Sequence, residues 1–488
     1  MTAGIGKFKP AHPNRPSSQG VADVGVWPAV AAFFCGWLLE LIGTPGQLAA
    51  LAALLYLTLR LFQLAFTGRR YSFQFALLLG FLVNAEVFIR DFAMRDAPAG
   101  YLAVEYAMIL LGLVSLPDLM KRHKRLVESA PAWLFLGICL WDSIGLFYSE
   151  DFWYGRITAS LHWGGLACLL LGAAAFATEA TRKGLLDGII LGTFLSLGVM
   201  LQRTLQSSSS LDLEAGFRFG HALVSAVQVG IVLTAGMLAC VLKLISGYGK
   251  PRNALICLAL LAPFCVATFS RGPLLAFFAG VLCLGFYRRR SGGGWKLAAA
   301  GLLLAGAVLA VKWALPSNFD GRYEELQGSE ERIRIWAVVG EMWKESPVIG
   351  YGPGSWFSVY PRFAAGADRA PSLASDAHNF ILQAASDGGS IGVALFVLFL
   401  GTLMIRIVKA RSAMGLALFV FIFIIASLAN FKLSVLFLIL GAGLGDSATL
   451  PATGAKQVPR APVAPARGLL PGHFINARQR RLGGPFPE

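Results

Sequence analysis

Apolar stretches of about 17 to 22 residues recur along most of this chain. Each is long enough to cross, as a helix, a hydrocarbon core about 30 Å thick. Inside such a layer every backbone polar group must be satisfied internally, so only helices or a closed barrel can cross it. No barrel-like alternation is visible. Spans are expected near 27–43, 48–66, 72–90, 101–119, 131–148, 157–177, 184–202, 221–245, 253–270, 272–287, 296–314, 389–408, 413–429 and 432–446, an even total of twelve to fourteen. With 56% hydrophobic and 14% charged residues, the chain lies far from the soluble average. The expected fold is all-α and polytopic.

Charge placement adds sidedness. The net charge of +15 could point to nucleic acid, but the basic residues sit in alternate connections. They occur at Gly68-Arg69-Arg70, 121–125, Arg182-Lys183, Lys250 to Arg252, Arg288 to Arg290 and Arg406 to Arg411. The positive-inside rule then puts both chain ends in the cytoplasm, with the intervening connections outside. Residues 1–26 are polar and lack a cleavable apolar signal, so the first span itself should insert. The expected organisation is a cytoplasmic N-terminus (1–26), a transmembrane bundle (27–314), an outer loop (315–388), C-terminal spans (389–446) and a disordered basic tail (447–488) whose simplest partner is anionic membrane lipid. The seven cysteines lie in or beside apolar spans without metal or disulfide spacing, and are read as small core residues.

The loop 315–388 interrupts the apolar pattern with Arg, His, Asn and Gly. Ser329 is placed to cap a helix ending before Pro347, with Glu330 and Glu331 complementing its positive end. Ile335, Val338, Val339, Met342 and Trp343 recur at helical spacing, which predicts an amphipathic helix lying on the membrane surface. Trp336, Trp343 and Trp356 are read as interfacial anchors. A second helix is expected from Asp376 into the next span. At about 3.6 residues per turn it would bring His378, Gly389 and Gly392 onto one face.

These residues form a specific pattern. His378-Asn379 precedes Gly389 and Gly392 as H-N-x9-G-x-x-G, and R-x-x-x-W (Arg332, Trp336) precedes E-x-P-x-x-G-x-G-x-G (Glu345, Pro347, Gly350, Gly352, Gly354). Together they resemble the O-antigen ligase and polymerase superfamily over roughly residues 200–445. Ser270-Arg271-Gly272 and FRFGHALVSA at 217–226, which holds Arg218, are similar to weaker landmarks. In the latter, Gly220-His221-Ala222 stands where the family often has an Asn-containing helix start. The resemblance implies an integral-membrane glycosyltransferase of C-type architecture. Such enzymes move a glycan from an undecaprenyl-diphosphate carrier to an acceptor hydroxyl outside the membrane, with no metal or cofactor.

That reaction leaves negative charge on a lipid diphosphate, which planar guanidinium groups suit. Arg332 is the preferred catalytic arginine because the family's Arg lies four before the Trp. Arg334 is the second candidate, and Arg218 and Arg271 join them in binding diphosphate. His378 is open to two roles, base toward the acceptor hydroxyl or hydrogen-bonding partner of phosphate. Asn379 and the glycines at 350, 352, 354, 389 and 392 are read as structural. Arg362 and Arg369 are read as snorkelling. Ligation to lipid A core is placed first, then polymerisation onto a growing glycan, then transfer to protein. A transporter or flippase would instead use Glu40, Glu86, Glu105 and Asp142 within the spans, and a scaffold would need no His378. Neither nucleic acid nor metal is an expected partner.

Overall fold

The structure is a computed structural model and describes residues 25–85, 103–207, 226–268, 270–288, 301, 306, 327–365, 374, 376–428 and 434–449. Several expectations lie outside the described residues: those on Arg218, Glu86, Arg369, most of 296–314, the first 24 residues and the tail from 450. Described residues are helical or in turns, with no strand among them.

Every expected apolar segment other than 296–314 contains a helix among its described residues. In chain order these are α1 (Val26–Leu41), α2 (Thr44–Phe66), α3 (Phe73–Asn84), α4 (Ala103–Arg122), the short α5 (Lys124–Val127), α6 (Ala130–Gly145), α7 (Phe152–Ala175), α8 (Glu179–Ser207), α9 (Ala226–Ser246), α10 (Pro251–Ala267) and α11 (Arg271–Arg288). After the undescribed stretch come α12 (Gln327–Glu345), α13 (Trp356–Ala364), α14 (Phe380–Lys409), α15 (Ala413–Leu428) and α16 (Ser434–Thr449). Five of these contain stretches long and apolar enough to cross a membrane, and seven shorter apolar helices accompany them. The chain is an all-α, multi-pass membrane protein.

The bundle is assembled on two central helices. α1, α3 and α9 pack along α8, while α4, α6 and α16 pack along α7. Glycine lets these backbones touch. A Cβ at Gly188 would lie 2.1 Å from the Leu77 carbonyl oxygen, and one at Gly441 would lie 2.1 Å from that of Leu169. Apolar burial gives little preference between helix and lipid, so such close packing supplies association instead.

The connections sort into two ends. At one, Arg182 lies 3.5 Å from Asp446, which also accepts a hydrogen bond from Ser412 beside the 406–411 basic run. At the other, the α6–α7 connection meets the segment between α12 and α13, and the start of α11 meets the end of α15.

Three expectations change. α14 runs into the expected span, but it begins at Phe380 rather than near Asp376, with Asn379 as its cap. α12 begins at Gln327, so Ser329 lies inside it rather than capping it. Its apolar face does not lie on the membrane: Ile335, Val338, Val339 and Met342 are buried against Trp356, Val359, Tyr360 and Ala364 of α13 and against Ala377. An amphipathic face needs an apolar cover, and here α13 provides most of it. Trp343 is 44% exposed.

Candidate functional site

His378 sits on a short segment fixed from both sides. The Trp336 indole donates to the Ala377 carbonyl at 2.9 Å, and the Trp356 indole donates to that of Ala374 at 2.7 Å. Two of the three expected interfacial tryptophans are therefore internal pins. An indole is apolar with one donor, so it serves equally well at a membrane interface or over a buried carbonyl.

The next residues set the start of α14. Asn379 accepts from the Ile381 and Leu382 amides at 2.9 and 3.2 Å, satisfying two of the helix's orphan donors. Its Nδ2 donates to the Ser427 carbonyl at the end of α15, at 3.3 Å. His378 lies before this cap, at φ +50. Its amide donates to Asp376 Oδ1 at 2.7 Å, and its ring Nδ1 lies 3.1 Å from the same oxygen. The Gln383 Oε1 accepts from the Ala377 amide at 3.1 Å, while its Nε2 reaches both oxygens of Asp387 at 3.0 Å.

The shared face expected for His378, Gly389 and Gly392 does not exist. His378 is outside the helix, and Gly389 breaks the helical path at φ 59, ψ −155. The reason is a close approach, since a Cβ on Gly389 would lie 2.4 Å from the Val348 carbonyl carbon. Backbone groups released at the kink pair with the glycine-rich segment. Tyr351 and Gly352 amides donate to Ser386 and Asp387 carbonyls at 3.0 and 2.9 Å, and Ser390 and Ile391 amides donate to Pro347 and Val348 carbonyls at 2.8 and 3.3 Å. The two motif halves are one clamped structure. Gly392 lies on the helix beyond the kink, its Cβ direction 2.9 Å from the Ala384 carbonyl oxygen.

The glycine-rich segment is gripped on its other side by the α6–α7 connection. Gly350, Gly352 and Gly354 all have positive φ, and a Cβ at Gly352 would lie 2.7 Å from Ser149 Cα. Ser149 donates to the Pro353 carbonyl at 2.9 Å, and Tyr148 donates to that of Ile349 at 3.0 Å. Arg362 pairs with Glu150 here rather than snorkelling.

Arg332 and Trp336 are one helical turn apart on α12, so both face the 376–377 segment. Burial pushes the Arg332 guanidinium pKa down, opposed first by the nearby Asp376 carboxylate and then by Glu331. Arg334 lies about 200° further round the helix. Arg271 is exposed as the first residue of α11, and a Cβ on the following Gly272 would lie 3.5 Å from Leu428. Arg271 and His378 thus flank the Ser427–Leu428 end of α15. Arg332, Asp376, His378 and Arg271 lie around one end of the bundle.

Asp376, Gln383 and the α6–α7 connection at 146–151 were absent from the expected site. The Asp-x-His spacing and the i, i+4 pair Gln383/Asp387 are sequence signals for the first two. The connection carries none. Residues 256–397 match the family model described as O-antigen ligase. The chain carries an O-antigen ligase family domain. The matched stretch includes every expected site residue except Arg218. No curated protein matches the chain.

Proposed function

We propose that this protein is a glycosyltransferase that moves a glycan from undecaprenyl diphosphate to an acceptor hydroxyl at the outer face of the bacterial inner membrane, with no metal required. The acceptor we assign is lipid A core. The observation that carries the reading is the gathering of Arg332, His378 and Arg271 at one end of a membrane bundle, inside the O-antigen ligase domain.

Arginines at that end suit a diphosphate leaving group, because a guanidinium stays charged and offers paired donors to two phosphate oxygens. Negative charge grows there as the glycosidic C–O bond breaks, so donors fixed in advance stabilise the transition state more than the ground state. The start of α11 adds the positive end of a helix.

Deleting the gene and examining surface and carrier-linked glycan tests this. Loss of ligation leaves bare core with full-length polymer on the carrier. Single repeats would assign polymerisation instead, and normal glycan in both pools would overturn the enzyme reading.

A further inference from the structure

We propose that Asp376 is the positioning residue of His378, holding the imidazole with its proton on Nδ1 so that Nε2 serves as general base toward the acceptor hydroxyl. This deepens the glycosyltransferase reading and rests on it.

The geometry is asymmetric about the ring. Asp376 Oδ1 lies 3.1 Å from Nδ1 and 2.7 Å from the amide of the same residue, so one oxygen holds both backbone and ring. The Asp376 side chain is 8% exposed and that of His378 35%. A buried carboxylate acceptor beside one ring nitrogen favours the tautomer that donates to it, leaving a lone pair on the other nitrogen. The backbone adds a second indication. A non-glycine residue at φ +50 is uncommon, and its cost is borne where surrounding bonds over-determine the conformation. Here the Asp376 oxygen and the two indole pins do so. Among the described residues, the Asp376 carboxylate acts on the Arg332 guanidinium of α12, as does Glu331 beside it.

The step balances. The acceptor O–H breaks and its proton passes to Nε2 as the oxygen bonds to the anomeric carbon. The bond from that carbon to the diphosphate oxygen breaks, and its electron pair leaves on the lipid diphosphate. The imidazolium, its charge balanced by Asp376, then returns its proton to water.

The test uses full-length protein in lipid nanodiscs, labelled with 15N-histidine, with His378→Asn identifying the His378 resonances among the six histidines. The expected result is the Nδ1–H tautomer in the native protein and its loss in Asp376→Asn. Transfer from a lipid-diphosphate glycan donor should show kcat about a hundredfold lower in Asp376→Asn, with KM changed less than about threefold. An Nε2–H tautomer in the native protein overturns the proposal. So does native kcat in Asp376→Asn, or a raised KM with kcat intact. His378→Ala separates the two readings: full activity would remove His378 from the site altogether, whereas an inactive His378→Ala beside a fully active Asp376→Asn would overturn only the role of Asp376.

Discussion

Charges within the bundle and charges at its motif-bearing end are held in different ways. Arg203 and Glu40 are 1% and 3% exposed and lie 2.9 Å apart, Lys243 pairs with Asp187, and His162 with Asp142, all between helices of the bundle. At the motif-bearing end, Arg271 is exposed, and Arg332 and His378 are partly so. In a low-dielectric interior an ion survives only with a close opposite partner, so the buried pairs are part of how the helices fit. At the aqueous end a cation can meet an incoming anion without first being extracted from the core. Two of the carboxylates that a transport reading would use, Glu40 and Asp142, are thus already engaged with basic side chains.

The contrast can be broken most directly at the motif-bearing end. His378→Ala and Arg332→Ala should each lower transfer by about a hundredfold or more, measured on purified protein whose thermal stability matches the native chain. If both variants keep native rates, Arg332 and His378 are not the reacting set. Glu40→Gln probes the other side. It leaves the Arg203 charge buried and should destabilise the bundle by about 3 kcal/mol, seen as a lower unfolding midpoint in detergent, with activity per folded molecule unchanged. Inactivity in well-folded Glu40→Gln would erase the distinction between the two regions. Gly352→Ala is smaller. With φ +84 and Ser149 in the way of a Cβ, it should cost about 1–3 kcal/mol of local strain, read as faster amide exchange at 351, 352, 390 and 391. Arg362→Ala removes an exposed pair with Glu150 and should change stability by less than about 1 kcal/mol with transfer unaltered.

Helical spans were readable because a bilayer demands long apolar segments, and the spacing of Ile335, Val338, Val339 and Met342 correctly marked one buried face. Periodicity shows that a face is covered but not by what, and α13 took the place assigned to lipid. The His378 helix failed for a related reason. The pitch argument assumed a continuous helix, while the cap at Asn379 and the break at Gly389 depend on a segment some forty residues earlier. The Trp336–Ala377 bond sets the rotational phase of α12 and turns Arg332 toward the 376–377 segment, which spacing alone did not give. The grip of Ser149 and Tyr148 on the glycine segment joins positions about two hundred residues apart, and nothing local announces it.

The four amide–carbonyl bonds across Gly389 have a mechanical meaning. They make the 347–352 segment and the first turns of α14 a single lever, anchored at its far side by the α6–α7 connection. A span responds to bilayer thickness by tilting. Any tilt of this lever displaces the residue just ahead of its cap, so lipid chain length becomes a variable of where the His378 ring sits.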